Sequence, residues 1–590
     1  MKLPSLLSPV LTPVLRRVPL TSKAADQVLL ELDLGRGVAE NPPGSPIEAL
    51  RSLHTPLLRS IVDHLRKAER DKDVVGLIAA IGDAPLTLAQ SAELRAAVAS
   101  FRAAGKATLA WSPSFGELGP GNTGYHLATA FEEVWLQPSG AVGLVGFAGE
   151  AVFLRAALDK IGVQPQLGQR HEYKTAADLF MRSEMSEPHR EMITRLLESS
   201  TETLVSDVAA DRGLEVAAVR AVLADAPVHA ADAVTRGLVD TLGYRDQAYA
   251  AMRTRVGADP TLRYVERHGA SKLEAVLGPM TRMPGHKSVI GLIQASGAIH
   301  LGRGDGGSPL SGSGVGSDAL CAALRAAGRD EHVKAVVLRI DSPGGSYVAS
   351  DAIRREIQVL REGGTPVVAS MASVAASGGY FIAMPCDTIL ASPGTVTGSI
   401  GVLAGKNVLR EGLQRIGVNR ETVAVAPRAA MFSSNQPFSD DELAVLEGWL
   451  DEVYADFTAK AAADRKMGVE ELRAVAKGRV WTGADAAERG LVDTLGGLDE
   501  AIAEACRLGR VDRDKAEVRT IPRHRPLQGL MPRESSEAVE ARIASSTLLG
   551  VAEGPALWRR VLPELTGLFG TPYAGVLSLP PLRLPGLLPL

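Results

Sequence analysis

The octapeptide Arg236-Gly-Leu-Val-Asp-Thr-Leu-Gly243 recurs without a single change at 489–496, displaced by 253 residues. Eight identical residues at one displacement mark an internal duplication, and a duplication restricts the chain to a fold that is built twice. The register extends outward from this point. Asn122-Thr-Gly-Tyr125 falls on Ser377-Gly-Gly-Tyr380, and 138–146 falls on 393–401, both displaced by 255 residues. Ile81 falls on Ile340 with a displacement of 259, so a few insertions account for the drift. A chain of 590 residues is too long for one core, and two copies of one unit account for most of it.

Within each copy, short β-branched runs alternate with helical patterns. In the first copy the spacing predicts a strand over 27–34, a helix over 46–70, a strand over 74–81, a helix over 89–104 and a strand over 107–111. The second copy repeats the pattern, with a strand at 333–340, a helix at 348–361 and a strand at 366–371. This alternation argues for an α/β fold with a largely parallel sheet in each of two tandem domains. The expected division is a Pro-rich segment with the first strand (1–45), a first repeat domain (46–256), a polar linker with a short helix (257–287), a second repeat domain (288–510) and an extension (511–590). Residues 302–317, rich in Gly and Ser, read as a surface loop. In the extension, 535–546 reads as a helix ahead of a Leu/Pro-rich tail suited to docking on a neighbouring subunit or touching lipid.

The chemistry concentrates in the second copy. Ser377 stands where the apolar run 366–371 and a series of small residues give way to Tyr380-Phe381-Ile382-Ala383, which reads as the start of a buried helix. A hydroxyl at a strand-to-helix turn lies beside free backbone N–H groups, the arrangement that nucleophilic acyl transfer requires. Taken alone, Ala-Ser-Gly-Gly reads equally well as a small-residue packing contact. Upstream, the run 333–340 ends in Asp341-Ser342-Pro343-Gly344-Gly345, where proline and paired glycines can turn successive N–H groups into one concavity. A serine turn and a glycine nest together make a nucleophile with an oxyanion hole.

Asp-Ser-Pro-Gly-Gly, then Ala-Ser-Gly-Gly-Tyr and Thr-Gly-Ser-Ile-Gly, resemble the signal peptide peptidase A (protease IV) family of serine peptidases, over about residues 30–505. The resemblance implies a crotonase/Clp-protease-like fold in each repeat and a Ser/Lys dyad. It implies that Ser377 is the nucleophile and that Lys174, in Tyr173-Lys174-Thr175-Ala176, is the general base. Ser399 then positions the lysine amine, and the N–H groups of Gly378 and of Gly345 or Gly344 receive the oxyanion. No cofactor or metal is implied. The implied substrates are remnant signal peptides or other short, unstructured, apolar peptides, and the implied assembly is a homotetramer at a bacterial membrane. Long members of the family carry an N-terminal anchor. Here 1–17 is broken by Pro4, Pro9 and Pro13, so peripheral contact is expected instead of a spanning helix.

The two copies diverge at these positions. Asn122 stands where the second copy has Ser377, and Ala84-Pro85-Leu86 replaces the glycine nest, while the second-copy window 424–430 has no lysine. Each half keeps one member of the dyad. A lysine acts as a base only when neutral, so Lys174 must be desolvated, with Glu172 and Asp178 directed away from its amine.

Other function classes find little support. A net charge of −4 gives no electrostatic case for nucleic acid. There is no His-Glu-x-x-His, Gly-x-Ser-x-Gly or Walker sequence, no histidine in a recognisable triad context, and the three cysteines are widely spaced. Two alternatives stay open: a crotonase-type acyl-CoA enzyme, whose acids and bases are usually carboxylates, and a non-catalytic scaffold in a membrane protease complex.

Overall fold

The computed structural model describes residues 27–42, 55–257, 260–268, 288–303 and 314–522, with the strands Val576–Ser578 and Leu582–Arg583. Residues 1–26, the start of the expected helix at 46–70, most of the linker, most of the loop at 302–317 and the expected helix at 535–546 lie outside these. The described part of the first helix runs over Leu58–Glu69, and its apolar face (Leu58, Ile61, Val62, Leu65) is buried.

The duplication is written into the sheets. The first half orders its strands Thr261–Tyr264, Val28–Asp33, Val74–Ala80, Ala107–Ser112, Glu133–Leu136 and Thr241–Leu242, all parallel. The second half repeats the order with Glu517–Thr520, Val289–Ser296, Val333–Ser342, Val367–Ala376, Thr388–Ala391 and Thr494–Leu495, again all parallel. The outermost strand of each set lies beyond the expected boundary. Thr261–Tyr264 falls in the expected linker and Glu517–Thr520 in the expected extension, yet each adds an edge to its half's sheet. A short polar run on a sheet edge shows too little alternation to be read as a strand from sequence.

The repeated octapeptide closes each half at the same place. Tyr125 donates its hydroxyl to the Leu238 carbonyl at 2.7 Å, and Tyr380 does the same to Leu491 at 3.1 Å. Asp240 accepts from the Val134 amide at 2.7 Å and pairs with Arg212; Asp493 accepts from Ile389 at 2.8 Å and pairs with Arg465. One structural task done twice keeps one sequence twice.

Polar and apolar contacts fix the halves against each other. Arg339, 2% exposed, pairs with Glu40 at 2.8 Å and Glu93 at 2.7 Å and donates to Ser370 at 2.9 Å. Arg195 holds Asp485 through two bonds of 2.8 and 3.0 Å. Leu88, Met192, Ile193 and Leu196 of the first half pack with Val396 and Val480 of the second. An arm of the first half, Gln164–Gln169, pairs antiparallel with Leu403–Val408 and so crosses into the second half. Lys174 follows this arm.

Candidate active site

The strand Val367–Ala376 runs five residues beyond the expected stretch, and every residue in it is buried. It delivers Ser377 to the N-terminus of the helix Gly378–Ala383, with φ 55° and ψ −109°. A positive φ is uncommon for a residue with a Cβ, and such strain persists only where the surroundings enforce it. The enforcing bonds are Ser377 N–H to the Gly398 carbonyl at 2.8 Å and Phe381 N–H to the Ser377 carbonyl at 2.8 Å. Ser399, on the neighbouring turn, is also at positive φ, 52°.

Lys174 reaches this turn from the first half, across 203 residues of sequence. Its Nζ lies 2.7 Å from Ser377 Oγ, 3.0 Å from Ser399 Oγ and 3.1 Å from the Ser399 carbonyl. Lys174, Ser377 and Ser399 are all fully buried. Burial alone lowers the lysine from 10.5 to about 7. Neither nearby acid opposes that shift. Glu172 pairs with Lys477 at 3.3 Å, and the buried Asp178 lies 3.4 Å from Arg182 and 3.7 Å from His189. Two glycines make room for the lysine: a Cβ on Gly478 would sit 2.5 Å from Lys174 Cβ, and one on Gly401 would sit 3.2 Å from its Cδ. Sequence reasoning missed Gly478; its only signal is a lone glycine in Lys477-Gly478-Arg479.

The glycine nest lies against the serine turn. The strand Val333–Ser342 continues two residues past the expected end, and a short strand, Gly344–Ser346, follows Pro343. A Cβ on Gly378 would come within 3.0 Å of the Gly345 nitrogen and 3.2 Å of Gly344 Cα, so any side chain there would fill the space beside these amides. Gly345, at φ 157°, passes so close to Ile299 that a Cβ would overlap its backbone. The Gly344 amide donates to Ser342 Oγ at 3.2 Å.

The corresponding site in the first half is built differently. Asn122 opens the helix Asn122–Ala128 and is tied to Gly146 through both ends of its amide: Nδ2 to the carbonyl at 2.6 Å, and Oδ1 from the N–H at 3.1 Å. The strained backbone of Ser377 is absent there. A cavity of about 840 Å³ lies over Asn122 and 82–87, and neither Lys174 nor Ser377 lines it.

One histidine departs from the sequence expectation. His126 lies between Ser91 Oγ (2.8 Å from Nδ1) and Asp207 (2.8 Å from Nε2), the connectivity of a triad. Residues 35 and 81 positions from His126 gave no sequence signal for it. Ser91 and His126 are fully buried, and Ser91 donates to the Thr123 carbonyl at 3.1 Å. Burial lowers His126 to about 4. The three residues tie together three helices of the first half, Leu88–Ala103, Asn122–Ala128 and Glu187–Arg212.

Comparison with known proteins matches the model of peptidase family S49 to residues 109–259 and 360–512, one segment in each half. "Serine protease SPPA, chloroplastic" of Arabidopsis thaliana is 32% identical over 464 residues, covering 78% of this chain and 66% of that protein. "Protease 4" of Salmonella typhi is 32% identical over 472 residues, covering 77% and 72%. "Protease 4" of Haemophilus influenzae is 28% identical over 495 residues, covering 80% and 76%.

Proposed function

The chain belongs to peptidase family S49 and is a serine protease, and from that premise we propose that Ser377 is its nucleophile and Lys174 its general base. The observation that carries this reading is the 2.7 Å approach of a buried lysine, with no carboxylate partner among the described residues, to a serine held at strained φ. As neutral amine, Lys174 takes the Ser377 proton while Oγ bonds to the scissile carbonyl carbon. The resulting ammonium is held by the hydroxyl and carbonyl of Ser399 and passes its proton to the leaving nitrogen as the C–N bond breaks. Water, deprotonated by the same amine, then releases the acyl group from Ser377. The oxyanion falls to the N–H groups of Gly378 and Gly345, because the Gly344 amide is engaged by Ser342.

The substrate class is short, unstructured, apolar peptide, remnant signal peptides among them. The site is fully buried, and the strand Gly344–Ser346 runs into it, so an extended chain fits there and a folded one does not. Among the described residues no helix is long and apolar enough to cross a membrane; membrane association is proposed as peripheral contact.

The repeat also supports a closed homo-oligomer, with four copies the number the resemblance implies. The arm Gln164–Gln169 pairs with Leu403–Val408. Its second-half counterpart, 419–424, is exposed and in no strand, with Val423 94% exposed. The first-half counterpart of Leu403–Val408 is 148–153, where Val152 is exposed. Pairing of the open arm of one copy with the free side of 148–153 in the next, whose other side carries Leu582–Arg583, is a head-to-tail contact, the kind that builds a ring when its rotation closes. The deciding experiment for the catalytic reading is hydrolysis of apolar fluorogenic peptides by the purified protein. Wild type is expected to be active, with Ser377→Ala and Lys174→Ala each at background. An active Ser377→Ala protein refutes the assignment.

A further inference from the structure

The short strand Val576–Ser578, from the chain's own Leu/Pro-rich tail, lies between Gly344–Ser346 and Leu403–Val408. It pairs antiparallel with both, Val576 with Ser346, Leu577 with Gly345 and Ser578 with Gly344, and again Val576 with Leu403. Its two neighbours therefore run parallel to each other with one strand's width between them, and the tail fills that width by main-chain pairing. This is the mode in which an extended peptide adds to a sheet edge.

The direction of the strand carries the argument further. Running from Ser346 towards Gly344, the tail heads for the turn where Gly344 and Gly345 lie against Gly378, the residue after Ser377. A peptide following the same path would run towards the turn that carries Ser377. Ser377 and Lys174 have no exposed surface with the tail in place. Beyond Ser578 the sequence reads Leu579-Pro580-Pro581. Two consecutive prolines have no N–H to donate and a fixed φ, a sequence that does not suit strand pairing. The next strand, Leu582–Arg583, pairs instead with Glu150–Ala151 of the first half. The tail is thereby fastened on both sides of the seam.

We propose that the tail strand Val576–Ser578, held further on by Leu582–Arg583, is a resident, uncleaved occupant of the peptide groove, competing with substrate from within the chain. The proposal rests on the reading that this groove takes peptide strands to Ser377. Its consequence is quantitative. A site open for a fraction of the time shows an apparent affinity reduced by that fraction, so a tail docked about nine-tenths of the time raises KM about tenfold and leaves kcat unchanged.

The test compares the full chain with one ending at residue 570, each in the wild-type and Ser377→Ala backgrounds. In Ser377→Ala protein, a labelled apolar peptide followed by fluorescence anisotropy is expected to bind about tenfold more tightly once the tail is removed. In the active background KM falls by the same factor. Leu577→Pro in the full chain removes an N–H from the middle of the tail strand and reproduces both changes without shortening the protein. A synthetic peptide of residues 571–583 added to the shortened enzyme restores the higher KM competitively. The inference is overturned if binding and KM are unchanged in both the shortened and the Leu577→Pro proteins. It is also overturned if intact-mass measurement finds Ser377-dependent loss of the residues after Ser578, because the tail is then a substrate. A gain in peptide binding without any hydrolysis sinks the catalytic reading and leaves the occupant in place; hydrolysis without any tail effect does the reverse.

Discussion

Replacing Ser399 by aspartate tests whether desolvation of Lys174 is what makes it a base. In the wild-type site the amine meets only neutral oxygens, Ser377 Oγ at 2.7 Å, Ser399 Oγ at 3.0 Å and the Ser399 carbonyl at 3.1 Å, and burial lowers it from 10.5 to about 7. At pH 7 about half of such lysines are neutral, against roughly one in three thousand at the ordinary value. A carboxylate in place of the Ser399 hydroxyl favours the ammonium and raises the lysine by about two units. The neutral fraction at pH 7 then falls to roughly one in a hundred, so kcat/KM falls about fiftyfold. The loss is recoverable: the rising limb of the pH profile moves from near 7 to near 9. Ser399→Asn is the control, since Asn and Asp both tolerate the positive φ of 52° at this position and Asn adds no charge. The assay is kcat/KM on an apolar fluorogenic peptide between pH 5 and pH 10. If the Asp and Asn variants rise at the same pH, charge at Lys174 does not control the reaction and the reasoning fails.

Four further outcomes follow from the structure. A lysine whose folded pKa is depressed destabilises the fold below about pH 7, and this cost is relieved as pH rises towards the unfolded value of 10.5. Lys174→Met is therefore expected to raise stability at pH 6, by on the order of 5 kcal/mol at most, with the gain fading by pH 10 in denaturant titrations; an equal effect at both pH values contradicts it. Asn122→Ala is expected to leave hydrolysis nearly intact, and mixtures of Ser377→Ala with Lys174→Ala protein to stay inactive, because the dyad closes within one chain; recovered activity in mixed oligomers places it between chains. Arg339→Met leaves the buried Glu93 and the part-buried Glu40 without their cation and is expected to cost about 3–5 kcal/mol of stability, read from the midpoint of chemical unfolding.

The duplication, the α/β alternation and the divergence of the two halves at Asn122 and 424–430 were legible in the residues, because each is written locally; the pairing of Ser377 with Lys174, 203 residues apart, was implied only by the family resemblance. An octapeptide, a strand running into a glycine turn, and Asn122 standing opposite Ser377 are one-dimensional patterns. The edge strands Thr261–Tyr264 and Glu517–Thr520 were not legible, since a short edge strand is defined by the neighbour that pairs with it. The same holds for the Ser91–His126–Asp207 connection, which three separate elements bring together. The sequence by itself determined which groups are present: one serine at a strained turn, one lysine, and glycines where side chains must be missing. Only the tertiary structure decided the state of those groups. The solvation of Lys174 depends on what surrounds it, and that comes from the other half, where Gly401 and Gly478 open space for its stem and no carboxylate among the described residues faces its amine. The tail's place between Gly344–Ser346 and Leu403–Val408 is likewise a tertiary result. Main-chain pairing reads no side chain, so no pattern of residues announces where such a strand will lie.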